Sequence, residues 1–231
     1  MSPAMAVHVL ILAGGLGTRL RSVVADRPKV LAEVAGRPFI THLLDQLAQA
    51  GFQAATLLTG YKGEMAEEAL GLAYGGMQLG YSVEETPLGT GGAIRAAARV
   101  IACEQLLVLN GDTFFDVDYR QLVAQTPAGS DLMACRRVED VGRYGAVQLD
   151  ASGRVVALAE KGAQGPGLIN GGIYVLHREA IAAWSEAVFS IETDYFPKRL
   201  AAERLCGTAC EGAFIDIGVP DDLKRAAEVL P

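Results

Sequence analysis

An apolar run that breaks into a glycine-rich turn near the N-terminus constrains this chain more than any other stretch. The run predicts a buried strand, because a short apolar segment bounded by turn residues is typical of one. The glycines let backbone N–H groups converge on an anion, and Arg19 adds a permanent cation with a planar fork of donors. Open parallel sheets bind ligands where such turns follow a strand. A polyphosphate site is therefore predicted at Val9-Leu10-Ile11-Leu12-Ala13-Gly14-Gly15-Leu16-Gly17-Thr18-Arg19-Leu20.

Two commoner glycine motifs do not fit this turn. A dinucleotide fingerprint needs G-x-G-x-x-G, and Leu20 occupies the place of its third glycine when the count starts at Gly15. That fingerprint also needs an acidic residue closing the second strand, which here ends in Leu57-Leu58-Thr59-Gly60. A P-loop needs a lysine followed by Ser or Thr, and this turn has neither pair. A plain structural turn remains the alternative for the glycines alone, and the segment that follows argues against it.

Composition excludes several classes of function. With 231 residues, 51% of them hydrophobic, the chain can bury the core of one large α/β domain. Its net charge of -7 argues against a nucleic-acid surface, and no apolar run is long enough to span a bilayer. The apolar N-terminus lacks a basic leader, so we expect a cytoplasmic protein without a signal peptide. We expect reduced thiols at Cys103, Cys135, Cys206 and Cys210, although the last two could meet on one helix turn.

The segment after the glycine turn carries Lys29, and Pro28 fixes the path by which it arrives. Proline biases the residue before it away from helix, so residues 21–37 are expected to form an irregular arm. The apolar pair Val30-Leu31 follows the lysine and anchors the arm. The arginines of the arm fit a solvated basic loop, whereas Lys29 is predicted to return to the phosphate-binding turn.

The glycine turn and the later Pro-Lys pair together resemble the two-part signature of the sugar-1-phosphate nucleotidyltransferases. That signature is G-G-x-G-T-R-L, a short gap and then P-K, and it stands here at residues 14–20 and at Pro28-Lys29. The family usually continues to a proline, whereas this chain reads Ala32-Glu33-Val34. The resemblance implies a Rossmann-like three-layer α/β/α fold with a mixed, mostly parallel central sheet and a small β-hairpin addition. It implies catalytic roles for Arg19 and Lys29, and nucleotide contacts from Leu12, Ala13, Gly14, Gly15, Gly17 and Thr18.

A second turn, Leu88-Gly89-Thr90, resembles the family's nucleotide-binding L-G-T motif and precedes a predicted helix through Val100. A glycine-rich helix N-cap is the alternative interpretation of this turn. The resemblance implies nucleotide contacts from Gly89 and Thr90, and Glu84 lies where the base edge is expected. Guanine presents two adjacent donors, its ring N–H and its exocyclic amine, and a carboxylate accepts both. Glu84, or its neighbour Glu85, therefore favours GTP over UTP and dTTP.

A short apolar strand over residues 106–109 is predicted to end in Asn110-Gly111-Asp112, at the same sheet edge as the glycine turn. In the family that this motif resembles, its aspartate coordinates magnesium, and Asp112 matches it, with Gly111 in the nucleotide site. The run Phe214-Ile215-Asp216-Ile217-Gly218 matches the family's D-[IV]-G motif, so Asp216 is expected to supply a second carboxylate. Magnesium prefers one or two carboxylates together with phosphate oxygens and water. The expected cofactor is therefore Mg²⁺, held by Asp112 and Asp216.

The second half of the chain resembles the family's sugar-binding half. A hairpin is predicted from strands over residues 143–149 and 155–159. A Glu-Lys pair follows it, with Gly162 where the family often has proline. The resemblance implies that Lys161 balances the charge of the sugar phosphate. It implies sugar-phosphate contacts from Tyr144, Gly145, Glu160, Lys161, Asn170 and Gly172.

Alternating strands and helices are predicted along the rest of the chain. We expect strands over residues 53–59, 77–83, 131–137 and 168–176, and helices over 38–50, 63–70, 118–125, about 178–186, about 192–204 and from Pro220. His42 is expected on the surface of the first helix. No internal repeat is present, so we expect residues 1–231 to form one catalytic domain without an added β-helix. Its N-terminal part is expected to bind the nucleotide, and residues from about 131 onward are expected to contribute the sugar-phosphate site. The sequence leaves open whether the protein forms a homodimer.

The reaction implied by the resemblance is attack by a sugar 1-phosphate on the α-phosphorus of a nucleoside triphosphate. The nucleophile is already an anionic oxygen, so no general base is needed, and the obstacle is repulsion between two anions. A closer likeness, in the runs at residues 110–115, 143–145, 168–174 and 214–220, is to the D-glycero-α-D-manno-heptose 1-phosphate guanylyltransferases. Mannose 1-phosphate is the nearest competing sugar, and another hexose or N-acetylmuramate 1-phosphate remains open. A catalytically silent nucleotide-sugar-binding regulator is disfavoured, because the chain keeps Arg19, Lys29, Asp112 and Asp216.

Overall fold

The computed structural model describes residues 7–15, 20, 26–60, 62–159, 162 and 164–230. Strand β1 (Val7–Leu12) lies at its centre, with Val9, Leu10 and Ile11 wholly buried. A strand that is apolar on both faces has to be covered on both faces. The first apolar run of the sequence therefore forms an interior strand, as predicted.

The other strands are mostly short and are separated by turns or helices. They are β2 (Glu33–Val34), β3 (Arg37–Pro38), β4 (Ala54–Thr59), β5 (Ala73–Tyr74), β6 (Met77–Val83), β7 (Gln105–Asn110), β8 (Thr113–Phe115), β9 (Asp131–Val138), β10 (Val147–Leu149), β11 (Val155–Leu158), β12 (Gly167–His177), β13 (Leu205–Cys210) and β14 (Phe214–Asp216). The α-helices are α1 (Phe39–Gln49), α2 (Gly63–Leu70), α3 (Gly89–Val100), α4 (Tyr119–Gln125), α5 (Arg178–Ala182), α6 (Phe196–Ala201) and α7 (Pro220–Val229). A 3-10 turn at Lys29–Leu31 and a π-helical turn at Ile191–Tyr195 complete the helical segments of the described residues.

Parallel strands form the centre of a ten-stranded sheet. Strands β6, β4, β1 and β7 run parallel, and Leu12 stands opposite both Leu58 of β4 and Asn110 of β7. Strand β12 pairs antiparallel with β7 and β9, and β13 lies parallel to β9. The hairpin of β10 and β11 joins the first part of β12. The predicted mixed, mostly parallel sheet with a hairpin addition is confirmed.

Helices cover both faces of this sheet and bury one apolar cluster on each side. One cluster joins α1, α4 and α7 to the sheet, with Leu43 and Tyr119 among its members. The other joins α3, α5 and α6 to the opposite face, with Ile94 and Phe196 among its members. The three-layer arrangement is therefore confirmed. No helix among the described residues combines the length and the apolar character needed to cross a membrane.

Helix α1 buries the apolar side chains that recur along one of its faces, and it also buries His42, which was predicted to lie on the surface. Burying a large apolar side chain stabilises the fold by roughly 1.5–3 kcal/mol, and this helix buries five of them completely. His42 was expected on the surface, but only 1% of it is exposed. Its Nδ1 accepts a hydrogen bond from Arg37, and its Nε2 lies 3.4 Å from the carbonyl oxygen of Val34. Burial lowers the pKa of His42. The five buried apolar residues are Phe39, Ile40, Leu43, Leu44 and Leu47.

Three predicted elements in the second half are shorter than expected. The strand predicted over residues 143–149 covers only Val147–Leu149, because the backbone N–H of Tyr144 turns back to the carbonyl of Val141 at 2.9 Å. The helix predicted over 192–204 is a π-helical turn followed by α6, and it ends before Glu203, whose φ is +56°. The helix predicted over 178–186 ends at Ala182.

Strand β13 was not predicted, because its sequence is mostly small residues without a clear apolar alternation. It pairs with β9 in parallel, with Cys206 opposite Leu132 and Cys210 opposite Arg136. The two cysteines therefore lie four residues apart on an extended strand, not on one helix turn. The four cysteines are free thiols, and burial raises the pKa of Cys135 to about 12.

Candidate functional site

A two-stranded ribbon brings the two predicted metal carboxylates together. Strand β14 pairs antiparallel with β8, so that Asp216 stands opposite Thr113, the residue after Asp112. The backbone N–H of Ile217 donates to the carbonyl of Asp112 at 3.0 Å. Asp216 Oδ1 accepts a hydrogen bond from the Gly218 N–H at 2.7 Å, which fixes its rotamer. The structure therefore joins two acids that lie in different halves of the sequence.

Lys29 lies against both carboxylates. Its Nζ is 2.7 Å from Asp112 Oδ2 and 3.9 Å from Asp216 Oδ1, and 11% of its side chain is exposed. The 3-10 turn that carries it is held down by the buried side chains of Val30 and Leu31, as the apolar pair predicted. The lysine was expected to return to the glycine turn. Among the described residues it pairs with the acids, because the opposite charges attract at hydrogen-bonding distance.

The start of the glycine turn lies beside these acids. Gly111 donates its N–H to the Leu12 carbonyl at 2.9 Å, and a Cβ at Gly111 would stand 2.5 Å from that oxygen. Only glycine permits this approach, which sets the Asp112 segment next to the end of β1. Ala13 donates its N–H to the Leu58 carbonyl at 2.8 Å. The predicted residues Gly17, Thr18 and Arg19 lie outside the described residues.

Glu84 lies at the end of β6, against the start of the glycine turn. Its Oε2 accepts a hydrogen bond from the Leu88 N–H at 2.8 Å, and a Cβ at Gly14 would stand 3.3 Å from its Oε1. The carboxylate thus bridges the two predicted nucleotide-binding turns. A pocket opens beside it, and its walls come from the ends of β4 and β6, the turn before α3, and α3 itself. The lining residues are Leu58, Ser82, Val83, Glu84, Glu85, Thr86, Leu88, Ala93 and Ala96.

The glycines of the second turn have a packing role that the sequence did not reveal. A Cβ at Gly91 would stand 2.2 Å from the ring of Phe189, and a Cβ at Gly92 would stand 2.3 Å from the Ala187 carbonyl. The backbone N–H groups of both glycines donate to the Phe189 carbonyl, at 3.0 and 3.3 Å. Thr90 Oγ1 accepts a hydrogen bond from the Ile191 N–H at 3.0 Å. The turn is therefore fastened to residues 187–191, which precede the π-helical turn.

The predicted sugar-side turn at Tyr144-Gly145 lies close to the ribbon that carries Asp216. The ring of Tyr144 meets that of Phe214 edge to face, with 6.5 Å between centroids. Arg143 donates to Asp222 Oδ2 at 2.8 Å, and that carboxylate also pairs with Arg225 at 3.1 Å. Helix α7 therefore fastens this turn beside the acidic ribbon. Glu160 and Lys161, predicted to complete the sugar-phosphate contacts, lie outside the described residues.

A bulge in β12 holds the other two predicted sugar contacts. The register of β12 on β9 shifts between Asn170 and Tyr174, and Gly172 has a φ of +74°. A Cβ at Gly172 would stand 3.0 Å from the side chain of Asn110, so the bulge lies at the carboxyl end of β7. Burial raises the pKa of Tyr174 well above its ordinary value, which keeps its hydroxyl a hydrogen-bond donor.

Sequence reasoning missed Glu192, which joins this bulge from the π-helical turn. Its Oε1 lies 3.3 Å from Asn170 Nδ2 and 3.4 Å from the Tyr174 hydroxyl. The Ser190 side chain accepts hydrogen bonds from the Glu192 and Thr193 N–H groups, as a helix N-cap does. In the sequence, an acid two residues after such a serine is typical of a stabilised helix start. That ordinary role hid its position beside Asn170.

The acidic pair is small for a metal site made only of protein ligands. Among the residues that the structure describes, no group of three or more His, Cys, Asp or Glu side chains is arranged to hold a metal ion. Asp112 and Asp216 do share one cation, the Lys29 ammonium, at their common edge. Such a pair suits a hard cation that takes its remaining oxygen ligands from substrate phosphates and water.

Comparisons with known proteins agree with this arrangement. The nucleotidyl transferase family matches residues 8–230. The chain is 39% identical to D-glycero-alpha-D-manno-heptose 1-phosphate guanylyltransferase of Aneurinibacillus thermoaerophilus, over 97% of this chain and 98% of the relative. It is 36% identical to the protein of the same name from Campylobacter jejuni, over 94% of this chain and 96% of the relative.

A solved structure has the same fold over nearly the same length. HddC from Yersinia pseudotuberculosis, complexed with GMP-PN, superposes with a TM-score of 0.86 and 35% identity, covering 96% of this chain and 98% of HddC. The family match, the full-length likeness and the shared fold all cover the sheet edge where the two acids meet. The chain therefore belongs to the nucleotidyl transferase family of enzymes.

Proposed function

We propose that this enzyme transfers the GMP group of GTP to D-glycero-α-D-manno-heptose 1-phosphate, forming GDP-heptose and releasing pyrophosphate. The proposed type of reaction is supported above all by one observation, the ion pairs of Lys29 with Asp112 and Asp216 beside the glycine turn. The choice of guanine and of heptose rests on the names of the two full-length relatives. A division into a nucleotide half and a sugar half, beginning near residue 131, is part of the same proposal.

This transfer requires the protein to neutralise phosphate charge and to hold the two substrates in line. A phosphate oxygen of the sugar 1-phosphate attacks the α-phosphorus, the bond to the bridging oxygen breaks, and pyrophosphate leaves with that electron pair. The nucleophile is already ionised, so the chain needs no histidine or serine base. Lys29 neutralises charge at the acidic ribbon, and Arg19 with the backbone of the glycine turn binds the triphosphate. Holding both anions in line removes most of the entropic barrier to their encounter.

We propose Mg²⁺ as the cofactor, bound by Asp112 and Asp216. The two carboxylates already face one cation, and their oxygens are the ligands that this ion prefers. When bound, Mg²⁺ supplies positive charge next to the phosphoryl group that is transferred. Displacement of the Lys29 ammonium from Asp112 would then free the lysine for phosphate oxygens.

The nucleotide is proposed to lie between the two glycine turns, with Glu84 at the base edge. A carboxylate pairs with both guanine donors, and a uracil or thymine in its place would leave it unpaired. Glu84→Gln should therefore raise the KM for GTP by about tenfold, the effect expected for one charged hydrogen bond. It should also relax the preference for GTP over UTP. Glu85→Gln is the paired variant, and the base assignment is abandoned if neither substitution changes nucleotide choice.

The sugar phosphate is proposed to lie between the Tyr144 turn and the bulge of β12. The Tyr144 turn packs against Phe214 on the strand that carries Asp216, and the bulge lies against Asn110. A phosphate held between these two segments stays near the acidic ribbon. Lys161 would pair with its phosphate and Glu160 with its hydroxyls. The other proposed contacts are Gly145, Asn170 and Gly172.

Pyrophosphate release with Mg²⁺, measured over a grid of nucleotides and sugar phosphates, tests the proposal. The expected result is the highest kcat/KM for GTP with the heptose 1-phosphate. A higher kcat/KM for mannose 1-phosphate overturns the sugar assignment, and equal use of UTP or dTTP overturns the base assignment. Binding of nucleotide sugar without any turnover would instead identify a silent regulator. Omission of the metal should abolish turnover, and its return should restore it.

A further inference from the structure

The turn that carries Tyr144 also carries an arginine whose guanidinium is held at one nitrogen. Arg143 Nη2 donates to Asp222 Oδ2 at 2.8 Å, and 59% of the arginine side chain is exposed. A guanidinium has five N–H donors in a planar fork. Asp222 is the only hydrogen-bond acceptor that the described part of the chain offers to them. The other donors of Arg143 are therefore open to solvent or to a ligand.

The arginine is not needed to balance the charge of Asp222. The Asp222 side chain is only 7% exposed, and its Oδ1 lies 3.1 Å from Arg225, three residues further along the same helix. A buried carboxylate requires a counter-charge, and Arg225 already supplies one. Arg143 is an additional cation on the same carboxylate. The three side chains together carry an excess of positive charge, which attracts an anion.

Arg143 lies beside the acidic ribbon. Its Cζ is 5.5 Å from the centroid of the Tyr144 ring, and that ring meets the ring of Phe214, two residues before Asp216 in β14. Asp222 lies in the first turn of α7, which begins shortly after Asp216. The hydrogen bond to Asp222 is the main reason that the pKa of Arg143 is raised, and the Asp216 carboxylate adds to the effect. An anion bound by Arg143 is therefore close to the proposed metal site.

Hydrogen bonds fix the backbone of the turn just before the arginine. Asp140 Oδ1 accepts the Gly142 N–H at 3.1 Å. The Gly142 carbonyl accepts the Gly162 N–H at 3.2 Å, which joins the turn to the segment after the β10–β11 hairpin. With its backbone and one nitrogen held in place, Arg143 has less freedom to lose when it binds an anion.

We infer that Arg143 is a further sugar-phosphate-binding residue, whose guanidinium donates to phosphate oxygens of the sugar 1-phosphate while Asp222 holds it in place. This inference rests on the proposed function, because it adds a contact to the same sugar-phosphate site. A phosphate monoester carries nearly two negative charges at neutral pH, more than Lys161 alone would neutralise. Arginine binds two phosphate oxygens at once, which also orients the group for attack. The contacts proposed for the sugar ring are unchanged.

Arg143→Gln and Arg143→Lys test the inference, with Arg225→Gln as the matched control. Arg225 is bonded to the same carboxylate and is almost equally exposed, at 57%. We expect Arg143→Gln to raise the KM for the sugar 1-phosphate by about ten- to a hundredfold, the loss expected for hydrogen bonds between charged groups. Arg143→Lys keeps the charge without the fork, so its KM should lie between those of Arg143→Gln and the wild type. The KM for GTP should stay within about twofold in all three variants, and Arg225→Gln should match the wild type.

Three results would overturn the inference. A sugar KM for Arg143→Gln within twofold of the wild type means that Arg143 does not bind the phosphate. An equal rise in Arg225→Gln means that the disturbed charge around Asp222 is responsible. A rise in the KM for GTP that matches or exceeds the rise for the sugar means that Arg143 does not act on the sugar phosphate specifically.

Failure of the proposed function is recognised separately, from the wild-type substrate grid. Every sugar 1-phosphate carries the same phosphate group, so the variants are then compared on whichever pair of substrates the wild type uses. If no pair turns over, calorimetric titration with heptose and mannose 1-phosphates decides. Weaker binding by Arg143→Gln than by the wild type supports the role, and equal binding, or none by either protein, refutes it.

Discussion

Gly91→Ala tests whether the second glycine turn is built for packing against Phe189. The added methyl would stand 2.2, 2.3 and 2.8 Å from three atoms of that ring. The ring cannot simply move aside, because it is stacked on Trp184 with 5.2 Å between centroids and only 6% of Phe189 is exposed. The backbone is also held, since the Phe189 N–H donates to the Leu88 carbonyl at 3.0 Å.

Two opposing effects set the magnitude for Gly91→Ala. Alanine in a helix is favoured over glycine by about 1 kcal/mol, and less in the first turn where this residue lies. Overpacking a filled core costs about 1–3 kcal/mol. The steric cost prevails at contacts this short, so we expect a net loss of about 1–2 kcal/mol. For a chain of this size, each 1 kcal/mol lowers Tm by about 2–4 °C.

The assay is urea unfolding, followed by circular dichroism and by the fluorescence of Trp184, the single tryptophan of the chain. Phe189→Ala alone should cost about 3–5 kcal/mol, because it empties a packed site. In that background the methyl at position 91 has room, so Gly91→Ala should become neutral and the cycle should give a coupling of about 1–2 kcal/mol. Gly80→Ala is the control, because its methyl would meet Thr56 only at an ordinary 3.4 Å. An undiminished cost of Gly91→Ala without the Phe189 ring would refute the reasoning.

The other predictions concern the acids. Asp112→Asn and Asp216→Asn should each lower kcat by on the order of 100-fold or more with little change in Tm, because each removes a proposed metal ligand. Asp221→Asn, on the exposed side of α7, is the control for both variants in the pyrophosphate assay. Near-normal turnover of Asp112→Asn or Asp216→Asn would contradict the metal assignment. Asp150 should contribute to acid stability, because the Ser152 hydroxyl and nearby backbone N–H groups lower its pKa from 3.8 to about 2. This stabilisation is present above pH 3.8 and is lost as the pH falls toward 2. Asp150→Asn should therefore flatten that part of the curve of Tm against pH. Parallel curves for the variant and the wild type would disprove this role of Asp150.

Local patterns in the sequence were sufficient for much of the fold. The helix at residues 63–70 and the strand at 77–83 lie where the periodicity placed them. Asp118 caps α4 as expected, by accepting the Gln121 N–H at 2.9 Å. These features depend on interactions within a few residues, which a sequence pattern reports directly.

The errors arose where a distant contact decides the local structure. Strand β13 is extended because β9 lies beside it, and its own small residues favour no conformation strongly. His42 is buried because the hairpin of β2 and β3 covers it. The contact of Lys29 with both acids and the placement of Glu192 beside Asn170 depend on pairings across most of the chain. Such pairings leave no periodic trace in a single sequence.

The ribbon of β8 and β14 also has a consequence for how the enzyme comes into being. Its two strands lie on opposite halves of the chain, and β14 is the last strand of the described residues. Contacts with so large a sequence separation carry a high loop-closure cost and form late. During synthesis, the glycine turn, Lys29 and Asp112 leave the ribosome well before Asp216 does. A chain that stalls before β14 docks can carry the residues of the proposed nucleotide half and still lack Asp216 beside Asp112. Under the proposed function, turnover therefore reports that folding has finished.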